Sequence, residues 1–196
     1  ITVTKDEYNN LHTSVVYKKG GEEITAADGL GLYFKNVYEK PEPAEVKFDL
    51  TKVLENADLS KYTFDFTLKP QGDAPASQNA DAETGIETVQ NTADGKISFS
   101  TITFGEDVDS KVYTYIIAEK KGINPSIDYD YSPITVTVTV TKGTEGENKN
   151  KLMTSVQYTK DDSDVTDDPK FENTYNTPTP VTPAEKLKVT KRFGII

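Results

Sequence analysis

Hydrophobic and polar residues alternate along most of the chain, with a period of two that is typical of β-strands with one buried face. The alternating segments are rich in Thr, Val, Tyr, Phe and Ile, and none shows convincing helical periodicity. The pattern predicts seven strands, at residues 46–54, 61–68, 96–104, 111–119, 134–142, 152–159 and 170–176. Seven strands separated by turn-rich gaps favour an all-β fold, an immunoglobulin-like β-sandwich.

The longest gap between predicted strands covers residues 71–95. This segment is rich in Ala, Asp, Asn and Gly, which predicts a surface loop with room for one helical turn. The dipeptide Asp94-Gly95 is expected to close the loop with a tight turn. No chemistry is expected in this loop.

The chain contains two copies of the same series of segments. In the first copy, residues 1–5 read ITVTK, residues 12–18 read HTSVVYK and residues 33–38 read YFKNVY; in the second, residues 138–142 read VTVTK, residues 153–159 read MTSVQYT and residues 170–175 read KFENTY. Both copies then pass through prolines and a Pro-Ala-Glu triplet into a further strand pattern. Lys5 and Lys142 are 137 residues apart, as are Asn36 and Asn173, and this period is the size of a domain rather than of a solenoid repeat.

The period predicts three parts of the chain. Residues 1–40 are expected to be the C-terminal strands of a preceding repeat, residues 41–177 a complete repeat, and residues 178–196 a proline-rich linker with the first strand of a following repeat. The prolines of the linker favour a semi-rigid, extended conformation, which suits a stiff rod. Because the chain looks cut from something longer, its lack of targeting signals carries no information.

Composition narrows the classes of function. With 32 acidic and 22 basic residues and a formal net charge of -10, the surface would repel phosphates and anionic headgroups, so neither nucleic acid nor a membrane is an expected partner. There is no cysteine, which removes disulfides and thiolate chemistry. A hydrophobic content of 35% supports a true core.

No metal or cofactor is expected. The acidic run at residues 161–168 lacks the glycine and the closing glutamate of an EF-hand loop, which favours a solvated hairpin over a calcium site. The single histidine, His12, has no Ser, Asp or second His in a recognisable motif, so hydrolase and zinc-site interpretations have little support.

Polar residues occupy the hydrophobic face of two predicted strands. Because alternate residues of a strand point the same way, Lys52 is in phase with Leu50 and Leu54, and is expected to point toward the core. In the last strand, Asn173 is in phase with Phe171 and is expected to point inward as well.

A third strand brings a carboxyl group to the same side. Glu119 is in phase with Tyr115 and Ile117. The flanking segments repeat part of this pattern, since Asn36 stands where Asn173 does in the earlier copy and is also expected to point inward, and Lys191 recurs where Lys52 stands. No copy of the Glu119 strand accompanies Asn36 or Lys191.

Taken singly, such residues usually have ordinary roles. Lysines and glutamates at strand ends extend to water, and a lone asparagine satisfies backbone groups. Taken together, an amine, an amide and a carboxyl directed at one core are informative, because burying a lone charge costs several kcal/mol unless it is paired or neutralised.

The complete repeat resembles the streptococcal-type pilin domains that contain intramolecular isopeptide bonds, found in major pilins and adhesin stalks. Three motifs carry the resemblance: FDLTKVLENADL at residues 48–59 followed by YTFDFTL, the block from YTYIIAEKKG to IDYDYSPITVTVTV, and the closing FENTY. They occur in the order of the family and cover residues 46–176. The resemblance implies a CnaB or pilin-type sandwich in which Lys52 is the amine donor, Asn173 the acceptor amide and Glu119 the catalytic carboxyl.

The implied reaction fits these residue types. An amine attacks only when it is deprotonated, and burial favours the neutral forms of both an amine and a carboxyl. Glu119 is expected to hydrogen-bond the Asn173 carbonyl, to polarise it and to carry the proton from the amine to departing ammonia. The protein would modify itself once, so it is not expected to be an enzyme.

Two functions from different classes follow. The first is a structural repeat of an extracellular, cell-surface fibre, whose partners are neighbouring repeats or subunits. The alternative is a ligand-binding adhesin domain on the same scaffold, with a host glycan or matrix protein as its partner and residues 69–95 as its contact surface. Near-identical tandem copies favour the structural repeat.

Overall fold

The computed structural model describes residues 1–24, 36–166 and 168–177. The chain divides into two compact units, Ile1–Glu39 and Lys40–Ile196. Strands dominate both units, and the helical elements described are single 3-10 turns at Leu59–Lys61 and Gly146–Asn148. Within the described ranges, no helix is long and apolar enough to cross a membrane.

The smaller unit contains two antiparallel hairpins. They are formed by β1 (Thr2–Lys5) with β2 (Leu11–Ser14) and by β3 (Tyr17–Lys19) with β4 (Glu22–Ile24). Their described side chains are almost all exposed. The large apolar residues among them, such as Val3 and Leu11, therefore have no core within the described part of this unit.

The larger unit is built from twelve described strands. These are β5 (Ala44–Val46), β6 (Asp49–Glu55), β7 (Asp65–Pro70), β8 (Glu87–Gln90), β9 (Lys96–Ser98), β10 (Ile102–Phe104), β11 (Ser110–Glu119), β12 (Ile127–Asp128), β13 (Ile134–Lys142), β14 (Leu152–Lys160), β15 (Ser163–Val165) and β16 (Lys170–Tyr175). Six of them form one sheet in the order β15-β14-β13-β11-β7-β8, four form a second in the order β12-β16-β6-β9, and β5 pairs with β10.

The core lies between the two larger sheets. On β13 the valines at alternate positions are buried while the intervening threonines face outward, as expected for a strand with one buried face. Aromatic side chains meet across this interior. Phe66 from β7 contacts Phe171 from β16 with ring centroids 5.3 Å apart, and Phe48, which immediately precedes β6, contacts Tyr115 from β11 at 5.4 Å. The predicted immunoglobulin-like sandwich is therefore confirmed.

The first and last long strands of the sandwich are direct neighbours. β6 and β16 run parallel, with Lys52 opposite Phe171 and Leu54 opposite Asn173. Parallel neighbours cannot be joined by a tight turn and need a long connection. Here that connection is almost the entire domain, so the pairing brings the two ends of the fold together.

Two predicted strands are interrupted in the structure. The segments 46–54 and 96–104 were each expected to be continuous, but the first divides into β5 and β6 and the second into β9 and β10. Both breaks occur at the same level, where the backbone N–H of Phe99 donates to the carbonyl of Phe48. Both phenylalanines are buried there, so both strands are interrupted where these aromatic side chains enter the core.

The predicted surface loop at residues 71–95 also needs correction. It contains β8, which pairs with β7 at the edge of the six-stranded sheet. The expected single helical turn is present, since the N–H of Gly85 donates to the carbonyl of Asp81 four residues earlier. The segment buries polar side chains as well: the carboxylate of Glu87 accepts hydrogen bonds from the backbone and hydroxyl of Ser100. Polar residues such as Glu87 gave this segment the composition of a surface loop, although their hydrogen bonds are made inside the protein.

The Asp94-Gly95 turn is confirmed. Gly95 donates to the carbonyl of Thr92, and its φ of +90° lies in the left-handed region. Its carbonyl accepts the N–H of Lys52 at 2.7 Å. The turn therefore packs directly on the backbone of a predicted site residue.

Gly95→Ala is expected to lower the free energy of unfolding by roughly 2 to 4 kcal/mol, because a side chain adds left-handed strain and a steric clash. A Cβ at this position would lie 2.4 Å from the carbonyl oxygen of Lys52. Gly72→Ala is the matched control, since its φ is +60° but a Cβ would meet no atom within 4 Å. Denaturant unfolding measures both, and equal losses would contradict a role for the clash.

Candidate functional site

Three strands bring the predicted amine, carboxyl and amide together. Lys52 comes from β6, Asn173 from its parallel neighbour β16, and Glu119 from the end of β11 in the facing sheet. All three residues are buried, with Lys52 and Asn173 exposed by 1% and 0%, so the inward direction predicted from the alternation is confirmed for each. The sandwich encloses an amine, a carboxyl and a carboxamide in one core.

The carboxyl group lies between the amine and the amide. Lys52 Nζ donates to Glu119 Oε2 at 2.7 Å, and Asn173 Nδ2 donates to Glu119 Oε1 at 2.7 Å. Each carboxyl oxygen therefore holds one of the other two side chains. This geometry allows one group to take a proton from the amine and to supply one to the amide nitrogen.

The other face of the carboxamide contacts the main chain. The backbone N–H of Asp130 donates to Asn173 Oδ1 at 2.8 Å. A backbone N–H is only a donor, so the atom that it contacts must be the carbonyl oxygen. This fixes the amide nitrogen toward Glu119, and the hydrogen bond expected between Glu119 and the carbonyl is not the one that the structure contains.

Burial shapes the electrostatics of the amine. Desolvation lowers the pKa of Lys52, although the hydrogen bond and the charge of Glu119 act in the opposite direction. The Nζ atom lies 4.6 Å from the centroid of the Phe64 ring and 6.0 Å from that of Phe66. These rings exclude water from the amine, and the resulting desolvation favours the deprotonated form that a nucleophile requires, although the ring faces themselves attract a cation.

The sequence did not reveal the residues that support the amide. The carboxylate of Asp130 accepts hydrogen bonds from Lys160 Nζ at 2.5 Å, from the N–H of Glu172 at 3.0 Å and from the N–H of Ser132 at 3.2 Å. Burial raises the pKa of Asp130, but these donors outweigh it and leave the pKa below its ordinary value. No sequence signal marks a backbone donor, and Asp130 alone fits an ordinary turn.

The two flanking residues are not part of this cluster. Asn36 is exposed and lies in a stretch without regular structure, so the inward orientation expected for it is wrong in this chain. The strands that bury Asn173, β6 and β11, have no counterpart in the described part of the smaller unit. Lys191 lies outside the described residues.

Metal ligation is not indicated within residues 1–24, 36–166 and 168–177, where no group of three or more His, Asp or Glu side chains is placed to hold an ion. In the acidic run, Asp161 and Asp162 form the tight turn between β14 and β15, both with positive φ. This is the hairpin that the sequence favoured; Asp167 lies outside the described residues.

Comparison with models of known protein families identifies the family of this chain. The family model of FctA, described as the Spy0128-like isopeptide containing domain, matches residues 48–176. The chain belongs to the FctA family. The matched segment includes Lys52, Glu119 and Asn173 and lies entirely within the larger unit.

Solved structures of pilins are similar to this FctA-family chain. The major pilin from Streptococcus pyogenes and an alanine variant of it are 21% identical over 67% of this chain and 50% of theirs, with TM-scores of 0.40 and 0.41. The major pilin T-13 from the same species is 20% identical over 69% of this chain and 54% of its own, with a TM-score of 0.40. The chain thus spans about half the length of these pilins. No curated protein matches it significantly.

The lowered pKa of Lys52 predicts a pH dependence of stability. In an Asn173→Ala variant, which leaves Lys52 beside Glu119, the free energy of unfolding is expected to rise as pH increases toward the ordinary lysine pKa of 10.5. The unfolded chain still holds the proton that the folded chain has lost, so the slope is positive, up to about 1.4 kcal/mol per pH unit.

Urea unfolding of that variant between about pH 8.5 and pH 10.5 measures the slope. The control carries Lys52→Met and Glu119→Gln in addition to Asn173→Ala, which removes the titrating lysine together with its buried partner and leaves the surface unchanged. An equal slope in the two proteins would contradict the lowered pKa.

Proposed function

We propose that this chain is a structural repeat of a Gram-positive surface fibre, a pilin shaft or an adhesin stalk, stabilised by an autocatalytic isopeptide bond between Lys52 and Asn173. The observation that carries the proposal is the buried carboxyl of Glu119, which hydrogen-bonds the amine through one oxygen and the amide nitrogen through the other. The FctA family match supports the same conclusion.

The reaction begins with a proton transfer from Lys52 to Glu119, which leaves a neutral amine and a neutral acid in the dry core. Nζ then attacks Cγ of Asn173, and Glu119 donates its proton to Nδ2 while it takes one from the attacking nitrogen. The Nζ–Cγ bond forms, the Cγ–Nδ2 bond breaks, and ammonia departs. Folding supplies the proximity, with effective molarities of roughly 10⁵ to 10⁸ M for well-oriented groups.

The bond would stiffen the domain along its length. β6 is the first strand of the four-stranded sheet in the chain and β16 is the last, and they are direct neighbours. A covalent link between them would carry a pulling force from one end of the domain to the other without loading the remaining strands. Shear unfolding of the sandwich would then be blocked, as a fibre under tension requires.

The smaller unit supports the tandem arrangement. In its first hairpin Thr4 pairs with His12, and in the larger unit the matching residues Thr141 and Met153 pair in the same way. The second hairpin agrees as well. Tyr17 pairs with Ile24, and Tyr158, which corresponds to Tyr17 in the sequence, pairs with Val165 at the same spacing.

These matched registers favour the division of the chain into the end of one repeat (1–40), a complete repeat (41–177) and the start of a third (178–196). A fibre subunit of this kind would lie outside the cell, on the cell surface, with neighbouring repeats or subunits as its partners. Asn36 would be the acceptor of the preceding repeat and Lys191 the donor of the following one.

The proposed bond predicts a defined mass. The intact chain is expected to be lighter than its sequence mass by one ammonia, and digestion is expected to give the Lys52 and Asn173 peptides joined together. Glu119→Gln removes the proton relay and should restore the full mass. Glu87→Gln changes another buried glutamate, 4% exposed and bound to Ser100, and should keep the link. An unmodified mass in the parent chain, or a full yield of the link in Glu119→Gln, would refute the mechanism.

The bond also predicts a difference in stability. A link from Lys52 to Asn173 closes a loop of roughly 120 residues, which by the chain-entropy model is worth about 5 kcal/mol. Glu119→Gln should lose this amount in addition to the cost of the altered hydrogen bonds, whereas Glu87→Gln should lose about 1 to 3 kcal/mol. Guanidinium unfolding of the full chain measures both, and equal losses would argue against a covalent contribution.

A further inference from the structure

The carboxamide of Asn173 is held from two sides, and the second side has no role in the proton transfers described above. Glu119 binds the nitrogen, and the backbone N–H of Asp130 binds the oxygen. When an amine adds to an amide, the negative charge develops on that oxygen. A preorganised N–H at 2.8 Å from it is where a charge-stabilising donor is required.

The N–H of Asp130 is fixed in place by its own side chain. The Asp130 carboxylate, 14% exposed, pairs with Lys160 at the end of β14 and accepts the N–H of Glu172 from β16. Glu172 immediately precedes Asn173 in the sequence, so the contact ties the loop between β12 and β13 to the strand that carries the acceptor amide. The N–H of Ser132 adds a turn within the loop.

Lys160 completes this arrangement from a third element. Its Nζ also donates to the carbonyl of Lys170 at 2.9 Å and lies 5.0 Å from the centroid of the Phe171 ring. One cation therefore joins β14, the loop that carries Asp130 and the start of β16. We call Asp130, Lys160 and the N–H of Glu172 the clamp.

We infer that the clamp is a positioning device for isopeptide bond formation, and that the backbone N–H of Asp130 stabilises the oxyanion that develops on Asn173. This inference rests on the proposed function. Two groups then have separate roles. Glu119 moves protons between the attacking and leaving nitrogens, while the backbone N–H of Asp130 stabilises the negative charge on the carbonyl oxygen of Asn173. The clamp also prevents the carboxamide from turning its nitrogen away from Glu119.

The first test is kinetic. Asp130→Ala removes the acceptor that holds the loop, and it is expected to slow bond formation at least tenfold, since loss of a whole oxyanion donor costs about 10² to 10³ in rate. The chain is labelled in a short pulse of cell-free synthesis, and samples are denatured at successive times. Mass spectrometry then measures the fraction of each sample that has lost ammonia. Asp128→Ala is the matched control, because its carboxylate contacts Asn176 rather than the clamp, and its rate should equal that of the parent chain.

Lys160 variants keep the test valid if Asp130→Ala does not fold. Lys160→Met should slow the reaction severalfold, and Lys160→Arg, which keeps a cation beside Asp130, should recover most of the rate. Far-ultraviolet circular dichroism verifies that each compared variant is folded. Parent-like rates in folded Asp130→Ala and Lys160→Met would overturn the inference.

The second test observes the hydrogen bond directly. In an uncrosslinked Glu119→Gln chain, the Asp130 amide proton is expected to resonate downfield and to exchange slowly with solvent, and the addition of Asn173→Ala should remove both properties. An Asp130 amide that is insensitive to Asn173 would refute the contact. A parent chain that never loses ammonia would instead refute the proposed function, so the two failures are distinguishable.

Discussion

The fold of the larger unit depends on how it accommodates one lysine amine in an apolar interior. A cation enclosed by aromatic rings is costly unless a partner is buried with it. Glu119 meets that requirement from the facing sheet, and Asn173 occupies the remaining carboxyl oxygen. The three side chains satisfy one another only when β6, β11 and β16 are all in register. The polar cluster is therefore satisfied in this register of the three strands.

The domain contains two lysine–carboxylate pairs, one partly exposed and one fully buried, and the difference in burial changes how each pair behaves. Lys160 and Asp130 are partly exposed, and Asp130 has three donors that favour its ionised form. That pair is a stable ion pair. Lys52 and Glu119 have side chains that are fully buried, and desolvation lowers the lysine pKa, which favours the neutral amine. The same two functional groups thus form an ion pair in one place and the proposed reactive pair in another.

The buried cluster lies at the position where the proposed bond would resist a pulling force. It lies between the parallel strands that begin and end the four-stranded sheet, where a pulling force would enter and leave the domain. Only non-covalent interactions hold such a pair in an ordinary sandwich. The proposed link would convert that contact into a covalent path in a chain that has no cysteine for disulfides.

How much of this was accessible from the sequence depends on the range of the interactions involved. Strand alternation is a local property, and it predicted the inward direction of Lys52, Glu119 and Asn173 and the bounds of β13 with full agreement. The similarity between the two series of segments, also visible in the letters alone, anticipated the matching hairpin registers. The local pattern failed where contacts between distant residues determine the secondary structure. β8 is a strand because β7 pairs with it. The breaks near Phe48 and Phe99 arise where both rings enter the core.

The site shows the same division. Residue types and spacing determined which side chains point inward, because side-chain direction follows from strand geometry. Only the tertiary structure decided how they meet: which carboxyl oxygen takes the amine, which atom of the amide faces Glu119, and that the main chain at Asp130 holds the carbonyl. The sequence does not show which backbone N–H makes a particular contact, since every residue except proline carries one. Its role arises when the fold places it opposite a particular oxygen.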